Sequence, residues 1–271
     1  MSATTVDREL EARHRALWAL GDYPAVADDL VAPLGADLVA AADIQPGQRV
    51  LDVAAGTGNA AFAAAAAGAR VIASDLCPEL LAHGRSLPDR RGVDVEFREA
   101  NAEALPFGDA EFDAVMSCIG VMFAPHHQQA ADELVRVCRP GGRIAVLSWT
   151  PEGFIGQMFA TLKPYVAPPP PGVQPAPLWG DETHVRALFG DRVEYIDLRR
   201  GELAVDAFAD GARFRDYFKV NYGPMVSAYR SIDDADKAAA LDADLAALGD
   251  RALADSPAMQ WEYLVVTARR R

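Results

Sequence analysis

Apolar positions recur with a helical period over the first forty residues, and after residue 45 the rhythm shortens. Over residues 7–20, Leu10, His14, Leu17 and Trp18 fall near one face, which predicts an amphipathic helix. Gly21 and Pro24 interrupt it. Residues 25–43 read as a second helix and Gln45-Pro46-Gly47 as a turn. Short apolar runs then alternate with helical stretches. Strands are predicted at 49–53, 71–73, 93–97, 112–116 and 143–149. The helices between them fall at 59–67, closed by Gly68; at 78–87, with Pro78 in the first turn; and at 125–137, opened by Pro125. Pro140-Gly141-Gly142 reads as a tight turn. Strands separated by helices of this length imply a parallel sheet covered on both faces. Such sheets bind ligands beyond the carboxyl ends of their strands. The first strand delivers Asp52 to its end, so residues 52–59 are where a site is expected.

After residue 150 the texture changes. Residues 163–180 hold seven of the 18 prolines. Their four-proline run favours an extended course, and Tyr165, Leu178 and Trp179 suggest packed ends, so the segment reads as an ordered lid or wall. A helix at 182–189 and a strand at 193–199 follow. Residues 206–250 read as helical, broken at Asn221-Tyr222-Gly223-Pro224, and 261–267 as a last strand. The chain thus divides into N-terminal helices (1–44), a core (45–150), a proline-rich lid with a sixth strand (151–205), a helical insertion or substrate cap (206–258) and a final strand (259–271).

Composition narrows the function. The 271 residues carry a formal net charge of −13, the wrong sign for binding phosphate backbones or anionic membranes. Three cysteines, Cys77, Cys118 and Cys138, show no CxxC spacing, which fits a reducing compartment better than a disulfide framework or a zinc site. The first twenty residues have no apolar signal core, and no stretch matches a membrane span. A cytoplasmic protein is expected, with a small-molecule partner, neither nucleic acid nor membrane, and an oligomeric state left open between monomer and homodimer.

The chemistry concentrates in VLDVAAGTGNAAF, residues 50–62. Small residues and glycines let the backbone approach a ligand, and the following helix N-terminus offers free N–H groups. Gly56-Thr57-Gly58-Asn59-Ala60-Ala61 also satisfies the dinucleotide fingerprint, and Asp75 ends the next strand where a ribose-binding acid belongs. Asp52, four residues before Gly56, is out of place against a pyrophosphate but suits a cationic ligand with an amino group.

Together with ASDL, EANAEALPF, FDAVMSCIGVMF and LVRVCRPGG in this order, the segment resembles the class I S-adenosylmethionine-dependent methyltransferases. The similarity is to the small-molecule branch that includes the ubiquinone/menaquinone C-methyltransferases, and it spans residues 45–150 with support from the final strand. It implies an α/β fold: a Rossmann-like, doubly wound seven-stranded sheet whose last strand is antiparallel. It also implies S-adenosylmethionine as cofactor. Ala54, Ala55, Gly56, Thr57, Gly58 and Asn59 would then border the methionyl part, with Asp52 orienting its amino group and Ser117 beside its chain. Asp75 would accept from the ribose hydroxyls, Leu76 would pack on the adenine, and Asn101, Ala102 and Glu103 would border that ring. Similar enzymes usually have aspartate at position 101 and glycine at position 54. By the same resemblance Tyr23 would reach the cofactor carboxylate, with Trp18 nearby.

The catalytic signal is fainter. His126 and His127 open a helix near the reactive end, and His127 is the candidate general base, against a capping or surface role for the pair. Aromatics after residue 150 (Phe154, Phe159, Tyr165, Trp179 and Phe214, then Tyr217, Phe218 and Tyr222) are candidates for a substrate pocket, with plain core as the alternative for most. Cys118 reads as buried, and Arg269-Arg270-Arg271 as a solvated tail. No metal-ligand spacing is present. The expected function is methyl transfer to a small apolar or aromatic metabolite by in-line displacement. The competing readings are a non-enzymatic cofactor-binding protein and a nucleotide-dependent oxidoreductase.

Overall fold

The computed structural model describes residues 5–87 and 92–271. Among them, one sheet is built from β1 (Arg49–Val53), β2 (Arg70–Asp75), β3 (Val95–Glu99), β4 (Phe112–Cys118), β5 (Cys138–Trp149), β6 (Val193–Val205) and β7 (Met259–Arg270). The strand order is β3-β2-β1-β4-β5-β7-β6. Strands β1 to β5 pair in parallel, and β7 lies antiparallel between β5 and β6. The alternation of elements implied the parallel part, and the resemblance implied the whole: a Rossmann-like seven-stranded sheet with its last strand antiparallel. The helices before the sheet are α1 (Thr5–Trp18), α2 (Tyr23–Asp29) and α3 (Ala32–Ala42). Within the first half of the sheet lie α4 (Asn59–Ala66), α5 (Pro78–Arg85) and α6 (His127–Val137). Then come α7 (Phe154–Leu162), α8 (Glu182–Phe189), α9 (Gly211–Asn221), α10 (Gly223–Arg230) and α11 (Ala235–Leu253). No helix among the described residues is long and apolar enough to cross a membrane.

Central strands are covered on both faces, so they read as continuous apolar runs rather than alternating ones. Val50, Leu51 and Val53 of β1 are fully buried, and Asp52 is the one polar residue among them. A carboxylate in that position needs a ligand or a proton. Alanine-rich α4 packs closely on α3, where a Cβ on Gly35 would meet the Asn59 carbonyl oxygen at 2.7 Å.

The structure corrects several boundaries. Residues 25–43 form two helices rather than one. Pro24 and Pro33 each sit in a first turn, where the missing N–H costs nothing, and the chain bends between them at Leu30 and Val31. Asp22 caps α2 by accepting from the Ala25 N–H at 3.2 Å. Helix α6 begins at His127, two residues after Pro125. Pro140-Gly141-Gly142 is not a turn between elements but a bulge within β5: pairing jumps from Phe112↔Cys138 to Ala114↔Arg143, with Gly141 at φ +72°. β3 lies at 95–99 rather than 93–97, and β6 and β7 each outrun their predicted ends. Of the closing arginines, Arg269 and Arg271 are exposed, as expected of a solvated end, yet all three are tied to backbone carbonyls rather than hanging free. Arg270 donates to the carbonyls of Arg136 and Cys138, and Arg271 to that of Val193.

The proline-rich segment packs through two short 3₁₀ turns, Lys163–Tyr165 and Ala176–Gly180. It runs past the start of α6: the Gln174 N–H donates to the Pro125 carbonyl at 3.0 Å, and the Gln174 side chain accepts from the His127 N–H at 3.1 Å.

Candidate functional site

The carboxyl ends of β1, β2 and β4 open into a cavity of about 890 Å³. That lies toward the upper end of the roughly 300–1,000 Å³ usual for ligand pockets. The loop leaving β1 forms one wall. Gly56 and Gly58 hold φ of +57° and +90°, which lets the chain turn from strand to helix within a few residues. Ala54 adopts φ +53° as well, a conformation that costs an L-residue what glycine is spared. Gly120, after β4, lies so close to this loop that a Cβ would stand 2.0 Å from the Ala54 carbonyl oxygen.

Two buried acids define the electrostatics. Asp75, at the end of β2, accepts from the Gly56 N–H and the Cys77 N–H, each at 2.8 Å. It thereby fastens the glycine loop to the neighbouring strand, while burial pushes its carboxyl upward. Asp52 is 1% exposed, and neither of its oxygens has a hydrogen-bond partner. Burial raises its carboxyl to about 8. The Ala61 amide in the first turn of α4, too poorly placed for a full hydrogen bond, offsets only part of this, and the charge of Asp75 adds to it. Tyr23 leans over the loop, within 3.5 Å of where a Gly56 Cβ would stand, and its ring meets Trp18 edge-on at 5.2 Å.

The opposite wall is the turn after β3. Asn101 shapes it: its Oδ1 accepts from the Glu103 N–H at 2.9 Å, and its Nδ2 donates to Glu11 at 3.1 Å. Arg15 pairs with Glu99 beside this contact, so α1 is fastened to the end of β3. Glu103 holds His126 twice, accepting from its N–H at 2.6 Å and facing its Nδ1 at 3.1 Å.

Of the residues singled out in the sequence, Tyr23, Asp52, Ala54, Ala55, Gly56 and Thr57 line this cavity. So do Asn59, Asp75 and Leu76, and, on the far wall, Asn101, Ala102 and Glu103. Three do not. Gly58 sits behind the loop against Phe97 and Phe62. Ser117 is fully buried; its hydroxyl donates to the Val53 carbonyl at 2.7 Å and accepts from the Val121 N–H at 2.8 Å, so it braces β4 against β1. His127 is buried beneath the helix start, its Nδ1 3.0 Å from His184 Nε2 and its ring beside Trp179. Burial, with His184 beside it, lowers it to about 4. It is His126 that lines the cavity. His14 on α1 joins the same wall, held below its ordinary range by burial despite nearby Glu103.

The sequence reading also missed a second, aromatic chamber behind Tyr23. It shares Tyr23, Val31, Ile119 and Phe123 with the large cavity and is otherwise walled by Trp149, Trp261 and neighbours from α7 and α9. Of the candidate aromatics, Phe218 and Tyr222 reach it. Phe154 stacks on Trp261 from outside, and Trp179 packs against His127. Tryptophans at strand ends read as core, and only the β5–β7 pairing brings these two together, at 5.8 Å between rings.

Comparison with known proteins agrees with this geometry. Residues 51–146 match the methyltransferase domain family. An uncharacterized protein of Mycobacterium tuberculosis is 53% identical over 266 residues, covering 98% of this chain and 97% of that one. A demethylmenaquinone methyltransferase of Thermus thermophilus is 43% identical over 106 residues, which span 38% of this chain and 48% of that enzyme. Among solved structures, the YcgJ protein of Bacillus subtilis superposes with a TM-score of 0.60 at 19% identity, covering 88% of this chain and 98% of that one. With the fold, the glycine loop and the domain match in agreement, the chain belongs to the class I S-adenosylmethionine-dependent methyltransferases.

Proposed function

We propose that this protein transfers a methyl group from S-adenosylmethionine to a small apolar or aromatic metabolite, by in-line displacement, in the cytoplasm. The observation that carries the reading is the Asp52 carboxylate, buried in the cavity wall with both oxygens unpartnered. A buried acid in that state fits a ligand bearing an ammonium group, which stabilises its ionised form, whereas a pyrophosphate would hold it in the neutral one. Asp75 retains lone pairs beyond its two backbone bonds, and these receive the ribose hydroxyls. Leu76 and Ala102 border the adenine, while Asn101 shapes the turn beneath it. Ala54 to Thr57 lie along the methionyl chain, and Tyr23 closes over them.

The bound cofactor supplies a methyl group already made electrophilic by its sulfonium. The protein's own task is to hold the nucleophile in line and keep water out, and positioning of this kind is worth up to about 7–11 kcal/mol. His127, enclosed against His184 and Trp179, is too remote from the cavity for the role of base.

Calorimetric titration with S-adenosylhomocysteine tests the reading. The wild type binds at micromolar concentration or better and an Asp75→Ala variant loses most of that affinity. Heat from NAD(P)H with none from S-adenosylhomocysteine would overturn it.

A further inference from the structure

The cavity wall opposite the glycine loop is rich in carboxylates. Glu11 comes from α1, which also presents Leu10, His14 and Trp18 to the cavity; Glu103 comes from the turn after β3; Asp132 and Glu133 come from α6. Three of these four acids are committed to basic side chains. Glu103 holds the His126 N–H with one oxygen and faces its Nδ1 with the other. Glu133 pairs with Arg136 and also accepts from the Leu105 N–H, and Asp132 pairs with Arg192. Glu11 differs. Among the described residues it forms no ion pair, and its hydrogen bond is to a neutral group: Oε2 accepts from Asn101 Nδ2 at 3.1 Å, and Oε1 is left over. The neighbouring arginines of α1 are engaged elsewhere, Arg13 with Glu9 and Arg15 with Glu99.

Asn101 sets this arrangement. Its Oδ1 accepts from the Glu103 N–H at 2.9 Å and its backbone carbonyl from the Ala104 N–H at 3.0 Å, so the turn fixes the side chain with Nδ2 directed at α1. An amide held this way donates to Glu11, whereas a carboxylate at the same position would repel it. Leu76 and Ala102, which border the adenine in the reading above, line the cavity together with this pair. Adenine carries an exocyclic amine, a donor that costs binding energy if it is buried without an acceptor. Two acceptors stand at this wall. Asn101 Oδ1 is neutral and already shared with the turn. Glu11 Oε1 is a carboxylate oxygen with no other partner, and charge-assisted bonds are the stronger kind.

We propose that Glu11 recognises the adenine amine. Oε1 accepts from the 6-amino group while Oε2 stays on Asn101, which is thereby a positioning residue. The proposal rests on the methyltransferase reading above and adds to it a binding residue from outside the sheet. A purine with a 6-oxo group would set a lone pair against this carboxylate and is rejected. Because Glu11 belongs to α1, base recognition and docking of that helix reinforce each other: the bound amine fastens α1 to the core one turn away from the Arg15–Glu99 pair.

The probes are S-adenosylhomocysteine and its purine analogue, in which hydrogen replaces the 6-amino group. Each is titrated calorimetrically into the wild type, Glu11→Ala and Glu11→Gln. The wild type is expected to bind the amino ligand about tenfold or more tightly than the purine one. In Glu11→Ala that preference should shrink to about twofold or less, with affinity for the purine ligand unchanged. Glu11→Gln, whose amide oxygen still accepts, should retain part of it. Amide hydrogen exchange in α1 should slow more with the amino ligand than with the purine one in the wild type, and equally with both in Glu11→Ala. Equal wild-type affinity for the two ligands overturns the role of Glu11. A preference that survives Glu11→Ala also overturns it, and returns the amine to Asn101. Equal weakening of both ligands by that variant overturns it as well, and leaves Glu11 a fastening of α1 alone. Failure of the wild type to bind either ligand overturns the methyltransferase reading, and the proposal with it.

Discussion

Replacing Asp52 with asparagine exchanges a buried, unpartnered acid for a group of nearly the same shape that never ionises. In the free protein the Asp52 carboxyl sits at about 8, against 3.8 for an ordinary aspartate. At pH 7 the folded protein keeps this proton and the unfolded chain has lost it. The three pH units between the ordinary value and neutrality correspond, at about 1.36 kcal/mol each, to roughly 4 kcal/mol that wild-type folding forfeits. The sign is set by proton binding. The folded state binds the proton more tightly, so the contribution of Asp52 to stability falls as pH climbs from about 4 to about 8. Asp52→Asn removes this slope. Urea unfolding at about pH 5, 6 and 7 should show the variant gaining on the wild type by about 1.4 kcal/mol per pH unit. Binding should change the other way. A cationic ligand draws the proton off Asp52, so wild-type titration with S-adenosylhomocysteine near neutrality should release a proton, detectable as a dependence of the heat on buffer ionisation. The variant should show no such release and about ten- to hundredfold weaker affinity. Parallel stability profiles, together with undiminished binding in the variant, would refute the assignment of Asp52 as an acid waiting for a cation.

Other substitutions test separate features. His127 is lowered to about 4, so its contribution to stability is complete above about 6.5 and is lost as pH falls toward 4. Urea unfolding should therefore show His127→Gln losing less stability than the wild type between about pH 7 and pH 5. Gly120→Ala would force a methyl group into the Ala54 carbonyl, and thermal unfolding should show a loss of about 2–3 kcal/mol together with weakened S-adenosylhomocysteine binding. Ala54→Gly relieves the positive φ at that position while adding entropy to the unfolded chain, so its stability should lie within about 1 kcal/mol of the wild type.

Much of the fold was legible because its buried strands carry a simple signal. β1 and β4 read to within two residues from their apolar runs, and the helices opening at Asn59 and Pro78 read from their first turns. What escaped was decided by distant partners. β6 alternates exposed charges along its length, and only pairing with β7 carries it to Val205. Pro140-Gly141-Gly142 has turn chemistry, yet β4 continues beside it and turns it into a bulge. In the site, the glycine loop, Asp52 and Asp75 were readable because adjacent residues build that wall. His126 and His127 were not separable by inspection, since one residue along a helix start rotates a side chain from the cavity into the interior. Trp149 and Trp261 lie more than a hundred positions apart, and nothing local to either says that they share a chamber.

The placement of β7 also bears on how the molecule assembles. It comes last of the seven strands in the chain, yet it occupies an interior position, with β5 on one side and β6 on the other. Until it docks, β5 presents an open edge and β6 has no neighbour in the sheet. During synthesis, then, the parallel half of the sheet can gather around β1 and β4 while its edge waits for a strand made about a hundred residues after β5. The same late event delivers Trp261 and fastens Arg270 to the carbonyls of Arg136 and Cys138. Closing of the sheet and completion of the aromatic chamber are thus one step, so an incompletely folded chain exposes a sticky strand edge and lacks the wall of that chamber.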